Sequence, residues 1–93
     1  MQKSNRAIVT VLGRDQIGII AWVSGKLASQ KVNILDISQT IVDEFFTMIM
    51  LVDLESSFVD LTELGSMLTK EGAERGLQVT IQHEDVFAYM HRI

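Results

Sequence analysis

The chain has 93 residues, 47% of them hydrophobic, with no cysteine, no proline and a formal net charge of −4. That length fits one domain around one core, and the lack of cysteine excludes a disulfide framework, a thiolate metal site and a thiol nucleophile. The acidic balance argues against a general binder of phosphate backbones, and apolar runs such as Met48-Ile49-Met50-Leu51-Val52 fall far short of the ~20 residues of a membrane span.

The start, Met1-Gln2-Lys3-Ser4-Asn5-Arg6, lacks the apolar segment of a signal peptide, so a cytoplasmic location is expected. Residues 6–12 are β-prone and form the first predicted strand. From Ile19 the pattern changes, and Ile20, Val23, Leu27 and Ala28 recur at helical spacing. Asp15 is the expected cap of this helix, and its end is placed near Gln30-Lys31. Residues 33–42 and 45–54 then alternate around Asp43-Glu44. A two-residue turn there pairs Val42 with Phe45, Ile41 with Phe46, Gln39 with Met48, Ile37 with Met50 and Leu35 with Val52. One face of this hairpin is dry and the other mixed, as in a sheet covered by helices on one side.

Ser57 with Asp60 three residues on reads as a capping box for a second helix. Its stripe is Leu61, Leu64 and Leu68, flanked by Val59 and Met67, and Gly76 is placed to end it. Leu77, Val79 and Ile81 alternate in a fourth strand. From Asp85 onward, Val86, Phe87, Met90 and Ile93 suggest a short closing helix. The order strand, helix, strand, strand, helix, strand gives an α+β ferredoxin-like βαββαβ sandwich. Its four-stranded antiparallel sheet carries two helices on one face, with strands two and four at the edges. One domain over residues 1–93 is expected, with a core at about 5–83 and a helical tail at about 85–93.

The strand, the segment Gly13-Arg14-Asp15-Gln16-Ile17-Gly18 and the helix start together leave unpaired backbone N–H groups aimed at one spot. The partial positive charge of the helix end favours a carboxylate or another anion there. Gly18 has no Cβ to keep a ligand away.

Gly13-x-Asp15-x-x-Gly18-Ile19, then Val23 and Leu27-Ala28, then Asn33-Ile34-x-Asp36-Ile37 resemble the ACT domain family. Asp36-Ile37-Ser38-Gln39-Thr40, Phe46-Thr47-Met48 and the tail Met90-His91-Arg92-Ile93 narrow the likeness to free-standing single-ACT proteins of bacteria and archaea. The resemblance implies a non-catalytic regulatory or sensor module without cofactor or metal. It further implies a homodimer that binds an amino acid or similar small anion between the first turn of one copy and strand two of the other. The implied ligand residues are Arg14, Asp15, Gln16, Ile17, Gly18, Ile19, Asn33, Ile34 and Asp36. The N–H groups near Gln16–Ile19 would take a carboxylate, Asp15 or Asp36 an α-amino group, and Asn33 either end. Many family members carry proline where this chain has Ile17.

A purely architectural reading stays open: the glycines shape the turn, Asp15 caps the helix and Asn33 holds the turn into strand two. The module would then be a ligand-free protein-interaction domain with an unidentified protein partner. An acylphosphatase-like hydrolase using Arg14 and Asn33 is disfavoured, because the phosphate loop of that fold is absent and Asp15 repels phosphate. His83, Glu84, Asp85 and His91 do not follow a metal-ligand pattern. Met48, Met50, Phe45 and Phe46 read as core, and Trp22 as either a subunit contact or a flank of the core. Arg6, Lys26, Lys31 and Arg75 read as solvated charges. The sheet face lacks the stacking aromatics and basic neighbours of an RNA reader.

Overall fold

Alternation of apolar side chains builds the sheet, and helical spacing builds the layer above it. The computed structural model describes residues 5–90. The elements are β1 (Arg6–Arg14), α1 (Ile19–Ser29), β2 (Asn33–Val42), β3 (Phe45–Asp53), α2 (Leu61–Glu74), β4 (Gln78–His83) and α3 (Glu84–Met90). The sheet runs β2-β3-β1-β4 and all its pairings are antiparallel. This is the ferredoxin-like arrangement expected from the element order, with β2 and β4 at the edges.

Ala7, Val9 and Val11 of β1, Phe46, Met48, Met50 and Val52 of β3, and Leu77 and Val79 supply the sheet side of the core. Ile19, Val23 and Leu27 of α1 and Leu64 and Leu68 of α2 close it from above. The thinnest Cα extent is 19 Å, room for two layers ~10 Å apart and not for a third. The opposite sheet face is therefore open. Gly76, at φ 74°, ends α2 in the left-handed region that glycine enters at little cost.

The hairpin pairs Val42 with Phe45, Ile41 with Phe46, Gln39 with Met48 and Ile37 with Met50, as read from the sequence. Beyond that a register shift between Ile34 and Asp36 sets Ile34, not Leu35, opposite Val52. Such a bulge adds one residue to one strand and leaves it unpaired. The turn is made by Asp43 at φ 57°.

Several local readings are corrected. Ile20 and Ala28 are exposed, and the buried stripe of α1 is Ile19, Val23 and Leu27. Asp15 does not cap α1, whose N-cap is Gly18 with no side-chain bond. The cap of α2 is Asp60, whose carboxylate accepts from Glu63 N–H at 2.8 Å. Ser57 instead makes a local turn, donating to the Val59 carbonyl and accepting its N–H. Phe45 is exposed, while Phe46, Met48 and Met50 are buried. Residues 91–93, with His91 and Ile93, lie outside the described residues.

Candidate functional site

Gly13 closes β1 against the end of α2. A Cβ there would stand 2.6 Å from Leu77 Cδ2 and 3.3 Å from the Gly76 carbonyl oxygen, so a side chain at this position would force the buried Leu77 to move. The chain next crosses to the hairpin turn. Asp15 N–H donates to the Glu44 carbonyl at 2.8 Å, and the Arg14 guanidinium meets the Glu44 carboxylate at 2.9 Å. Gln16 Nε2 donates to the Arg75 carbonyl at 3.0 Å. The turn is thus held from both sides, and the side chains of Arg14 and Gln16 are engaged in holding it.

Ile17 then stands fully exposed, an apolar side chain with no packing inside its own chain. Gly18, at φ 91°, starts α1 from the left-handed region, where a side chain would be strained. The first intrahelical bond is from Trp22 N–H to the Gly18 carbonyl. The N–H groups of Ile19, Ile20 and Ala21 therefore precede the helical ladder, and no side chain caps them. They open onto a groove of about 460 Å³ lined by residues 15–21 together with Gln39, Ile41 and Phe46. One end of the groove offers helix N–H groups and the other an aliphatic wall. That pairing suits a small molecule with a carboxylate and an apolar part.

Asp15, Gln16, Ile17, Gly18 and Ile19 line this groove. Arg14 stands beside it, tied to Glu44. Asn33, Ile34 and Asp36 do not line it within one chain. Asn33 pairs with Asp53, and Asp53 with Arg6, at the start of β1, whereas Arg14 at the other end of β1 pairs with Phe45. The two are the ends of a nine-residue strand, and its eight steps of ~3.3 Å put them roughly 26 Å apart. Asp36 Oδ1 accepts from Ile37 N–H. Sequence reasoning missed Ile20, Ala21, Gln39, Ile41 and Phe46 as groove residues. The hairpin register already placed Gln39 and Ile41 on the face of Phe46 and Met48, and that was the signal available for two of them.

Behind the groove the two helices are joined by a small polar cluster. Trp22 Nε1 donates to Glu71 Oε1 at 3.3 Å, and Lys26 Nζ meets Glu71 Oε2 at 2.6 Å. The Arg75 guanidinium lies 4.7 Å from the centre of the Trp22 ring, a cation–π distance. The Lys26 hydrogen bond first, then that of Trp22, holds the Glu71 carboxyl below its ordinary value, against a smaller opposing effect of burial. Trp22 is therefore an α1–α2 contact within the chain. Lys26 and Arg75 are bound to it, and Arg6 makes a two-pronged contact with Glu84 at 2.7 and 3.0 Å. Arg6 and Arg75 remain exposed to solvent as read from the sequence, though engaged, while Lys26 is half-buried in its ion pair and that reading is corrected. Among the described residues no group of three or more His, Cys, Asp or Glu is placed to hold a metal, and no helix is long and apolar enough to cross a membrane.

The ACT domain profile matches residues 5–82. The chain belongs to the ACT domain family. A UPF0237 protein of the archaeon Methanocaldococcus jannaschii is 54% identical over 89 residues, 96% of this chain and 99% of its own length. The structure of an ACT domain protein from the bacterium Streptococcus pneumoniae superposes with a TM-score of 0.79 at 40% identity. That match covers 91% of this chain and 96% of the other. This ACT domain thus has relatives of its own length in archaea and bacteria. The regulatory subunit of aspartate kinase from Thermus thermophilus shares the fold at TM-score 0.66 and 23% identity, covering 86% of this chain and 52% of that one.

Proposed function

We propose that this ACT domain is a homodimeric sensor, without catalysis of its own, that binds an amino acid or similar small anion in the groove at the start of α1. The observation that carries the reading is the edge strand. Every residue of β2 from Leu35 to Val42 is exposed, including Leu35, Ile37, Ile41 and Val42, beside the exposed Ile17, Ile20 and Phe45. A long apolar edge strand invites pairing, and a copy of the same strand is a self-complementary partner.

Antiparallel pairing of two β2 strands about Ile37 brings the Asn33–Ile34 end of one copy beside the Gln39–Ile41 end of the other. Asn33 and Asp36 then complete, from the second copy, a groove that one chain leaves open. A carboxylate rests on the N–H groups of Ile19–Ala21, an ammonium on Asp15 or Asp36, and an apolar side chain on Ile20 and Ile41. Ligand binding across the seam favours one dimer geometry over others, which is the form a signal takes. The likeness to a regulatory subunit of aspartate kinase supports a regulatory role, at the level of fold.

The test is a thermal-shift screen against the twenty amino acids and common anionic metabolites, with mass from light scattering. A ligand at a hundredfold excess over its Kd adds about 2.7 kcal/mol to stability. The expected result is a dimer whose Tm rises saturably with one class of compound. Asn33→Ala loses the rise, and Ile37→Lys gives a monomer that does not respond. A monomeric wild type, or a dimer that no compound stabilises, overturns the sensor reading. The second of these leaves the ligand-free interaction module, which the engagement of Arg14 and Gln16 in holding the turn favours.

A further inference from the structure

The charges around the groove at the start of α1 restrict what its far end can hold. Among the described residues that line it, Asp15 is the only charged one. The cations on the elements around it are engaged elsewhere. Arg14 meets Glu44 at 2.9 Å, and Lys26 meets Glu71 at 2.6 Å. The Arg75 guanidinium lies over the Trp22 ring and donates to the Glu71 carbonyl at 3.0 Å. Gln16, the wall residue nearest in sequence to Asp15, gives its amide to the Arg75 carbonyl. A second anionic group on a ligand would therefore meet no cation, and it would stand near the Asp15 carboxylate.

The rest of the wall is aliphatic. Ile41 pairs with Phe46, so the two side chains share the helix side of the sheet. Phe46 is buried as the floor, while Ile41 is 53% exposed. Ile20 of α1 is also exposed, and Ile17 stands fully exposed at the mouth. Covering such surface is favourable in proportion to the apolar area removed from water. A charged or amide group pressed against it would lose its hydration and gain no partner.

We propose that this end of the groove takes an uncharged aliphatic group, so that the ligand is an α-amino acid with an aliphatic side chain. Dicarboxylates, basic amino acids and phosphate esters are selected against, and Ile20 and Ile41 set the preference. The proposal rests on the groove being the ligand site, as read above, and adds which amino acids it admits and which residues decide. An α-carboxylate and α-ammonium are common to all of them, so discrimination falls to the side-chain end.

The test is titration calorimetry of the wild-type protein, with mass from light scattering. The ligands are alanine, 2-aminobutyrate, norvaline and norleucine, then the similarly shaped leucine, asparagine and aspartate, then lysine and inorganic phosphate. Each methylene added along the first series should tighten binding about fourfold. Leucine should bind at least about tenfold tighter than asparagine, whose amide is left unpaired, and aspartate, lysine and phosphate should bind more weakly than leucine. Ile20→Ala should weaken leucine about tenfold and alanine less than twofold, and Ile20→Lys should narrow or reverse the gap between leucine and aspartate. A flat series, or asparagine, aspartate, lysine or phosphate binding as tightly as leucine, overturns the aliphatic assignment and leaves the sensor reading standing. So does an Ile20→Ala protein that loses leucine and alanine equally. A monomer that binds in the expected order overturns the dimer and leaves the aliphatic end standing. Absence of binding by every compound overturns both.

Discussion

The two long helices begin in opposite ways. At the start of α2, Asp60 accepts from Glu63 N–H, and Leu64 and Leu68 below it are fully buried. At the start of α1, Gly18 offers no side chain, Ile17 is fully exposed and Ile20 is 41% exposed. Both helices have the same orphan N–H groups. At α2 one of them, Glu63 N–H, is capped within the chain, while at α1 no side chain caps any and they lie beside the edge strand β2. The uncapped start of α1 beside exposed apolar side chains is the feature on which the proposed dimer and ligand site rest.

The sharpest break of this comparison lies in the helix faces. Leu68→Ala should cost roughly 3 kcal/mol, because a fully buried leucine leaves a cavity. Ile20→Ala should cost the isolated chain under about 1 kcal/mol. Equal losses in chemical denaturation would refute the contrast. Next come the helix ends. Asp60→Ala should lower stability by about 1 kcal/mol, about 4–8 °C in Tm for a domain of this size. Ile17→Asp removes no internal packing and should stay within about 0.5 kcal/mol, yet it should abolish any anion-dependent rise in Tm. An Ile17→Asp protein that still responds to anions would place the ligand elsewhere.

The smallest effect concerns the joint between the helices. The Glu71 carboxyl titrates below its ordinary value in the folded chain, so its contribution is present above the unfolded carboxylate range. It is lost as pH falls through the lowered value. The Tm difference between wild type and Glu71→Gln should be full at neutral pH and vanish in acid. Solvent screening of a partly exposed pair keeps it below ~1 kcal/mol. A difference that persists in acid would assign the effect of the substitution to packing instead.

Much of this was legible in the chain itself. Period-two runs fixed the strands, the Leu64–Leu68 spacing fixed α2, and the hairpin register could be counted from Asp43-Glu44 as far as Ile37. The groove was half legible: Gly13 and Gly18 marked the turn, but Gln39, Ile41 and Phe46 reach it only through strand pairing. Asp15 misled because a cap is a local reading, and in the fold its N–H is taken by the Glu44 carbonyl while Gly18 starts the helix. Trp22 packs against the core, one of the two places read for it, and its bond to Glu71 depends on how the helices dock.

The sequence alone determined the element order, the alternation of the strands and the Leu64–Leu68 stripe of α2, because periodicity is a local property. Tertiary structure decided the rest. It placed a bulge at Leu35, brought Trp22 and Lys26 of α1 to Glu71 and Arg75 at the end of α2, and left β2 an edge strand with its apolar side chains exposed. It also set Asn33 and Gly18 at opposite ends of the sheet. The physical reason is that strand pairing and helix docking bring together residues far apart in the chain, and no local pattern records which partner each will meet.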